Sequence, residues 1–292
     1  MTDSTNVWND IRESQFNDRI LTGVLGRLHY GRNGKVSVIV NYKGLEVEIP
    51  SEEMGIVISR PHGESDTQYQ VRTIRILEIM LGAEVDFIIC LSCVENGSII
   101  ASRDAAMRRL RKWNYLGQSP NVTNGQAVLA RVIAVTQLAV RVEFMGAEAT
   151  INNEHLSWGF VGNARDKFQV GDTVLVRIEV FAAEKDGKPE DIRIKADIRS
   201  LTEDTSIEKL KDLKLQEHCS ATIEIIESIR GGEAYYLNLC GGIRGVAYKN
   251  YSKSNRPKQG DTVVFSPLYK DVKKGLTIGT ILRVTQKKTE EK

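Results

Sequence analysis

Three short segments, GAEVDF (82–87), GDTVLV (171–176) and GDTVVF (260–265), are copies of one element, and their opening glycines are 89 residues apart each time. A turn glycine, a small or acidic residue and then a strand recurring on a fixed period mark a chain of tandem repeats. Before each copy lie two alternating apolar runs joined near a glycine (Gly44, Gly146, Gly241–Gly242), then an irregular stretch. After each copy comes one last run: SIIASR (98–103), IRIKADIRSL (192–201) or LTIGTILRV (276–284). Runs such as KVSVIVNY (35–42), AVLARVIAV (127–135) and TVVFSPLY (262–269) alternate with period two and are rich in Val and Ile. That is the pattern of half-buried strands. Each unit therefore holds five strands, with the irregular stretch between the third and the fourth, which is the layout of an OB-type barrel. The expected fold is mainly β: three tandem five-stranded OB barrels with short helical insertions and linkers.

The central segment NEHLSWGFVGNARDKFQVGDTVLVRI (153–178) is similar to the centre of the RNA-binding domain first described in ribosomal protein S-one. In that family a short Ser-Trp element follows strand three and a Gly-Asp turn opens strand four. YKGLEVEIPSEEM (42–54) and IIASRDAAM (99–107) resemble the degenerate first domain of S-one-like proteins from Gram-positive bacteria. With three such units, the chain resembles accessory S-one-like proteins of bacterial mobile elements. The resemblance spans residues 20 to 285 and implies RNA binding through S-one-type barrels and a link to translation and the ribosome.

The boundaries follow from the runs. Residues 1–19 carry Val7, Trp8, Ile11 and Phe16 at helical spacing, expected to pack on the first barrel, 20–102. An insertion at 65–81 predicts an amphipathic helix with Val71, Ile74, Leu77 and Leu81 in one stripe, opened by the Ser65–Gln68 capping pattern. A basic helical linker, 103–122, leads to the second barrel, 123–201. A charged connector, 202–214, leads to the third, 215–285, and 286–292 is a tail.

Parity along the strands separates inward from outward side chains. In OB folds the outer face of strands two and three carries the ligand. In the first unit that face would hold Ser37, Ile39, Asn41, Glu46 and Glu48, a poor surface for a polyanion. In the second it would hold Arg141, Glu143, Glu148, Thr150 and Asn152. The resemblance implies a base-stacking Phe at the Arg141 position and a His at Asn152, and this chain has neither. Its last strand turns Arg193, Lys195 and Arg199 outward, three cations able to track phosphates. In the third unit Tyr236, Asn238, Arg244, Val246 and Tyr248 face outward; Tyr248 falls at the family's His position and Tyr236 near its Phe. Between 249 and 274, seven cations (Lys249, Lys253, Arg256, Lys258, Lys270, Lys273 and Lys274) stand against Asp261 and Asp271. The whole chain carries only +2, so any affinity for nucleic acid must come from such local patches. The RNA-binding set is thus Tyr236, Tyr248, Tyr251, Arg244, Lys249, Lys253, Arg256, Lys270, Lys273 and Lys274. It extends through Arg141, Asn152, Trp158, Arg193, Lys195 and Arg199. Trp158 is either a stacking platform or a ring tucked under its loop. The helix RDAAMRRLRKW (103–113) is either a phosphate-contacting linker, with Trp113 and Tyr115 free to stack, or a solvated face.

No nucleotide-binding glycine loop, metalloprotease helix or nucleophile elbow occurs in the sequence. A non-catalytic protein without cofactor or metal is expected. Cys90 and Cys93 lack the second pair a zinc ribbon needs and are expected as core thiols. No apolar run reaches the ~20 residues of a membrane span. The N-terminus lacks the layout of a signal peptide, so a cytoplasmic monomer is expected. Single-stranded RNA is the expected partner. A protein-docking adaptor on a ribosome, nuclease or mobile-element complex, or a binder of single-stranded DNA, are the alternatives.

Overall fold

The structure is a computed structural model that describes residues 2–31, 35–56, 58, 60–93, 97–116, 120–181, 192–240, 242–249, 251 and 256–287. Lys253, Gly241 and the tail from 288 lie outside the described residues. Three five-stranded sheets follow one another, as the repeat predicts. The first comprises β1 (Leu21–Tyr30), β2 (Val36–Tyr42), β3 (Leu45–Pro50), β4 (Glu84–Cys93) and β5 (Ser98–Ser102). It closes as a barrel in the order β1-β2-β3-β5-β4. The second contains β6 (Ala127–Val135), β7 (Ala139–Phe144), β8 (Ala147–Asn152), β9 (Thr173–Phe181) and β10 (Arg193–Asp197). The third contains β11 (Cys219–Ile229), β12 (Gly232–Leu239), β13 (Ile243–Lys249), β14 (Thr262–Asp271) and β15 (Leu276–Gln286), closed in the same order as the first. The second sheet runs β10-β9-β6-β7-β8, and among the described residues β8 and β10 do not pair to close it. The three tandem five-stranded OB-type sheets expected are therefore present, the first and third closed as barrels.

The 89-residue element has a structural reason. Gly82, Gly171 and Gly260 all adopt positive φ, where a side chain would be strained. Each donates its N–H to the opening strand of its own sheet: to Leu25 O at 2.7 Å, Val132 O at 2.9 Å and Ile223 O at 2.7 Å. The same three strand residues donate back to the carbonyls of Ala83, Asp172 and Asp261. All three strands then slip register at the next residue, between Leu25 and Arg27, Val132 and Ala134, and Ile223 and Ile225. Such a bulge bends the strand so that it can serve both edges of a barrel. The Asp of the Gly-Asp turn is structural: Asp172 accepts from Gln169 N at 2.7 Å and Asp261 from Lys258 N at 2.8 Å.

The chain divides into two compact units. One comprises residues 1–136, 140–151 and 167–196; the other comprises 137–139, 152–166 and 197–292. In the first, Ile133 and Ala134 of β6 share one apolar core with Val38, Val40, Val47, Ile49 and Phe87 of the barrel. The helix α1 (Thr2–Asn17) adds Val7 and Ile11 to that core, and Ser14 Oγ accepts from Ile89 N at 3.0 Å. Phe16 does not pack as expected: it is 76% exposed, in the last turn of the helix before β1. The insertion helix α2 (Asp66–Met80) carries the Ser65–Gln68 capping box and buries Leu77 and Met80. Val71, expected in its stripe, is 44% exposed. In the second unit Tyr235, Leu237, Leu239, Ile243, Ala247 and Phe265 fill the barrel, joined by Leu210 of α5 (Ser206–Asp212).

Candidate nucleic-acid interface

In the second unit the Ser-Trp element is held by its own polar groups. It begins in the single turn α4 (Asn153–Leu156). Asn153 Nδ2 donates to Gln137 O at 3.1 Å and to Val161 O at 2.9 Å, which fixes both ends of the loop. His155 Nδ1 lies 2.8 Å from Asp197 Oδ2, and the other oxygen of Asp197 accepts from Ser200 N at 2.6 Å. Burial works to raise the Asp197 carboxyl, but these bonds outweigh it and hold it below its ordinary value. The bracket sets the turn that carries Arg199, whose guanidinium lies 4.5 Å above the Trp158 ring. The indole N–H of Trp158 donates to Thr202 O at 3.0 Å. Trp158 is thus half-buried and pinned, a fixed ring rather than a loose one.

The loop then lies against the third barrel. At Gly162 an added Cβ would sit 1.7 Å from Glu224 O, the bulge residue of β11, so only glycine allows the approach. Phe160 meets Tyr236 edge-to-face with centroids 5.3 Å apart, and Arg244 lies 5.8 Å from the Phe160 centroid. The result is a groove of about 540 Å³ lined by Trp158, Phe160, Arg199, Arg244, Leu138 and Gln259 among others. Phe160 was missed in the sequence; its signal was an aromatic between two glycines, two residues after Trp158.

The β12–β13 pair places Ala234 opposite Tyr248, Tyr236 opposite Val246 and Asn238 opposite Arg244. Tyr236 and Tyr248 therefore share one face, as parity predicts. Tyr248 is 57% exposed. Tyr236 is half-buried and donates its hydroxyl to Glu227 at 2.8 Å; that bond and burial together raise its pKa. Val246, expected to face outward into solvent, is buried. Tyr251 packs edge-on against Tyr235 at 5.5 Å, with a buried hydroxyl, and belongs to the barrel wall rather than to a stacking face. Lys249 sits 4.8 Å above the Tyr251 ring and donates to Ile281 O at 3.3 Å. Arg256 is ion-paired with Glu233, and Lys270 donates to Lys211 O at 2.6 Å. Lys273 and Lys274 are exposed.

In the first unit the corresponding face is occupied. The helix α3 (Arg103–Tyr115) is capped by Ser102 Oγ and packs on the β7–β8 hairpin. A Cβ at Gly146 would come 2.5 Å from Leu110 Cβ. Arg103 is fully buried; it donates to Met54 O at 2.7 Å and is ion-paired with both Glu143 and Glu148. Glu143 also pairs with Arg131, which reaches Asp86 at 2.6 Å, and Glu148 also pairs with Arg141. Glu143, expected to face solvent, is 1% exposed. It does point out of its own sheet, but α3 covers that side. Arg141 thus spends its charge on a neighbour. Asn152, at the end of β8, and Arg193 and Lys195, on β10, are exposed. The basic helix is largely neutralised as well: Arg108 pairs with Asp104 and Arg109 with Asp18. Arg109 lies over the exposed Trp113 ring at 4.9 Å, while Tyr115 is half-buried and its hydroxyl donates to Phe144 O at 3.4 Å.

Cys90 and Cys93 are not core thiols: Cys90 is exposed, in the register slip between Ile89 and Leu91, and Cys93 is half-exposed. Among the described residues no three His, Cys, Asp or Glu side chains gather as a metal site would. No described helix is long and apolar enough to cross a membrane.

With this geometry in place, residues 121–187 match the S1 RNA binding domain family. A polyribonucleotide nucleotidyltransferase of Rippkaea orientalis is 26% identical over 141 residues, 48% of this chain and 18% of that protein. The chain therefore spans under a fifth of that relative's length. A multidomain protein with nucleic acid binding domains from Streptococcus pneumoniae aligns over 90% of this chain and 72% of its own, at 13% identity and a TM-score of 0.20. A murine DNA binding protein solved with double-stranded DNA aligns over 54% of this chain and 99% of its own, at 12% identity and the same score. At such scores neither superposition bears on fold or function.

Proposed function

We propose that this chain, with its S1 RNA-binding domain at 121–187, binds single-stranded RNA without catalysing a reaction on it, and that the strand lies chiefly on the third barrel. The observation that carries the reading is the pair Tyr236 and Tyr248 on one face of β12–β13, with Tyr248 open to solvent. A stacked base is worth about 1–3 kcal/mol, and aromatic faces on strands give sequence-tolerant contacts to unpaired bases. Lys273, Lys274 and Lys249 add charge beside that face for the backbone.

The test is the affinity of the full chain for a twelve-nucleotide RNA. Tyr236→Ala/Tyr248→Ala is expected to weaken it about ten-fold or more; an unchanged affinity sinks the assignment of this face. A duplex of equal length should bind less tightly, and a DNA strand of equal length separates the two sugars as partners. The RNA should be recovered intact, and cleavage or phosphorolysis by the pure chain would refute the non-catalytic reading. The S-one resemblance supports a cytoplasmic bacterial monomer that works with the translation machinery, and co-sedimentation with ribosomes in low salt tests that link. The neutralised β7–β8 face favours a second role for the first unit, docking on protein rather than RNA. A pull-down that survives nuclease treatment checks it.

A further inference from the structure

The groove of the second unit holds two cations, of which Arg199 feels the field of Asp197 without a direct ion pair. Among the described residues neither Arg199 nor Arg244 is ion-paired with a carboxylate. Arg199 rests on Trp158, and Arg244 lies by Phe160 with one weak bond to Lys274 O at 3.4 Å. The Nε–H of each guanidinium is out of water and unpaired, and buried donors in native proteins are rarely left so. The two carboxylates lining the groove are turned elsewhere: Glu224 accepts from Gly162 N at 3.4 Å, and Glu154 lies 3.5 Å from His155 Nε2. A planar guanidinium on an aromatic ring keeps its fork of donors for phosphate. The groove, about 540 Å³, has room for one nucleotide, and its rings suit a base.

We infer that this groove is a nucleotide site, in which Arg199 and Arg244 hold a phosphate and Trp158 and Phe160 flank the base. It deepens the single-strand reading and rests on it only in that the ligand is a piece of nucleic acid. The phosphate comes either from a terminal monoester or from an internal diester of the strand.

The test uses the full chain and uridine trinucleotides with and without a 5′-phosphate. Arg199→Gln/Arg244→Gln is expected to weaken trinucleotide binding about ten-fold. Loss on both probes identifies the diester as the source, and loss on the phosphorylated probe alone identifies the monoester. Parent-like affinity for both overturns the site. The slope of log affinity against log salt should also fall by about 0.7 per phosphate released, which loss of packing alone would not produce. Should the variant fail to fold, photocrosslinking of a 4-thiouridine trinucleotide to the unmodified chain decides. Attachment to the residues lining the groove, in 137–138, 153–162 or 224–226 or at Arg199, Arg244 or Gln259, supports the site, and attachment elsewhere overturns it. Tyr248→Ala separates the two readings, since it should weaken a twelve-mer while leaving the trinucleotide within about two-fold. If it leaves the twelve-mer unchanged while the arginine pair still governs the trinucleotide, the face fails and the groove stands.

Discussion

On the β7–β8 face the guanidiniums of Arg103, Arg131 and Arg141 meet Glu143, Glu148 and Asp86. In the second unit Arg199 and Arg244 meet Trp158 and Phe160 instead. Both sets lie against a strand pair of the same repeat. The first set is neutralised within the chain, so it fastens α3 to the sheet and has little field left for a polyanion. The second lies on aromatic rings that hold a cation without cancelling its charge. Counting basic residues therefore misplaces affinity in such a chain. What matters is whether each cation is matched by a carboxylate of its own fold.

The largest expected effect breaks the neutralised side. Arg103→Ala leaves Glu143 and Glu148 facing a cavity where a guanidinium stood. Removing one partner of a buried ion group costs about 3–5 kcal/mol. Chemical denaturation should show a loss of that order, while twelve-mer RNA affinity of the folded variant stays within about two-fold of the parent. A loss below about 1 kcal/mol would mean that Arg103 is a spectator. A large loss of RNA binding in the folded variant would mean that the two regions are not separate in function.

Acid should find the same region. Burial works to raise the Glu148 carboxyl, and Arg103 and Arg141 outweigh it, holding it below its ordinary value of 4.5. A carboxylate depressed in the folded state binds its proton less readily than in the unfolded chain. Its stabilisation is therefore complete above pH 4.5 and is lost as pH falls through the lower folded value. Stability should be flat in this respect between pH 7 and 5 and then fall, and Arg103→Ala should fall less steeply below pH 4.5. Parallel acid curves would remove Arg103 from the account of Glu148.

Which side chains point out of a sheet was legible, because period two needs only the strand itself. Tyr235 and Leu237 are buried and Tyr248 is open, as parity dictates. The turn glycines were legible for a related reason: each turn, the glycine with the residue after it, makes the same two bonds to its own opening strand. What comes to rest on an outward face is not a local property. Glu143 points out and is buried because α3, about forty positions earlier in the chain, lies over it. Val246 is buried as well, and Phe160 finds Tyr236 across 76 positions. Tyr251 was read as a ligand contact because the sequence shows an aromatic in a basic loop, whereas the fold uses its ring to seal Tyr235.

The smallest expected effect sharpens the contrast most directly, because it compares like with like. Arg141 and Arg244 stand on the second and third sheets, each on the strand pair that carries ligand in OB folds. Arg141 is half-buried and paired with Glu148, which also keeps Arg103 as a partner. Its removal still leaves Glu148 one partner in Arg103, and Arg141 is the more exposed of the two, so the loss of stability should be smaller than for Arg103→Ala, about 1 kcal/mol. It also takes no free cation from the surface, so Arg141→Ala should change RNA affinity by less than about two-fold and leave the salt slope as it was. Arg244→Ala, which removes a guanidinium stacked by Phe160 and unmatched by any described carboxylate, should lower both. If the pair behaved the other way round, the ion pair at Glu148 would be one that RNA displaces, and the second sheet rather than the third would be the principal binding surface.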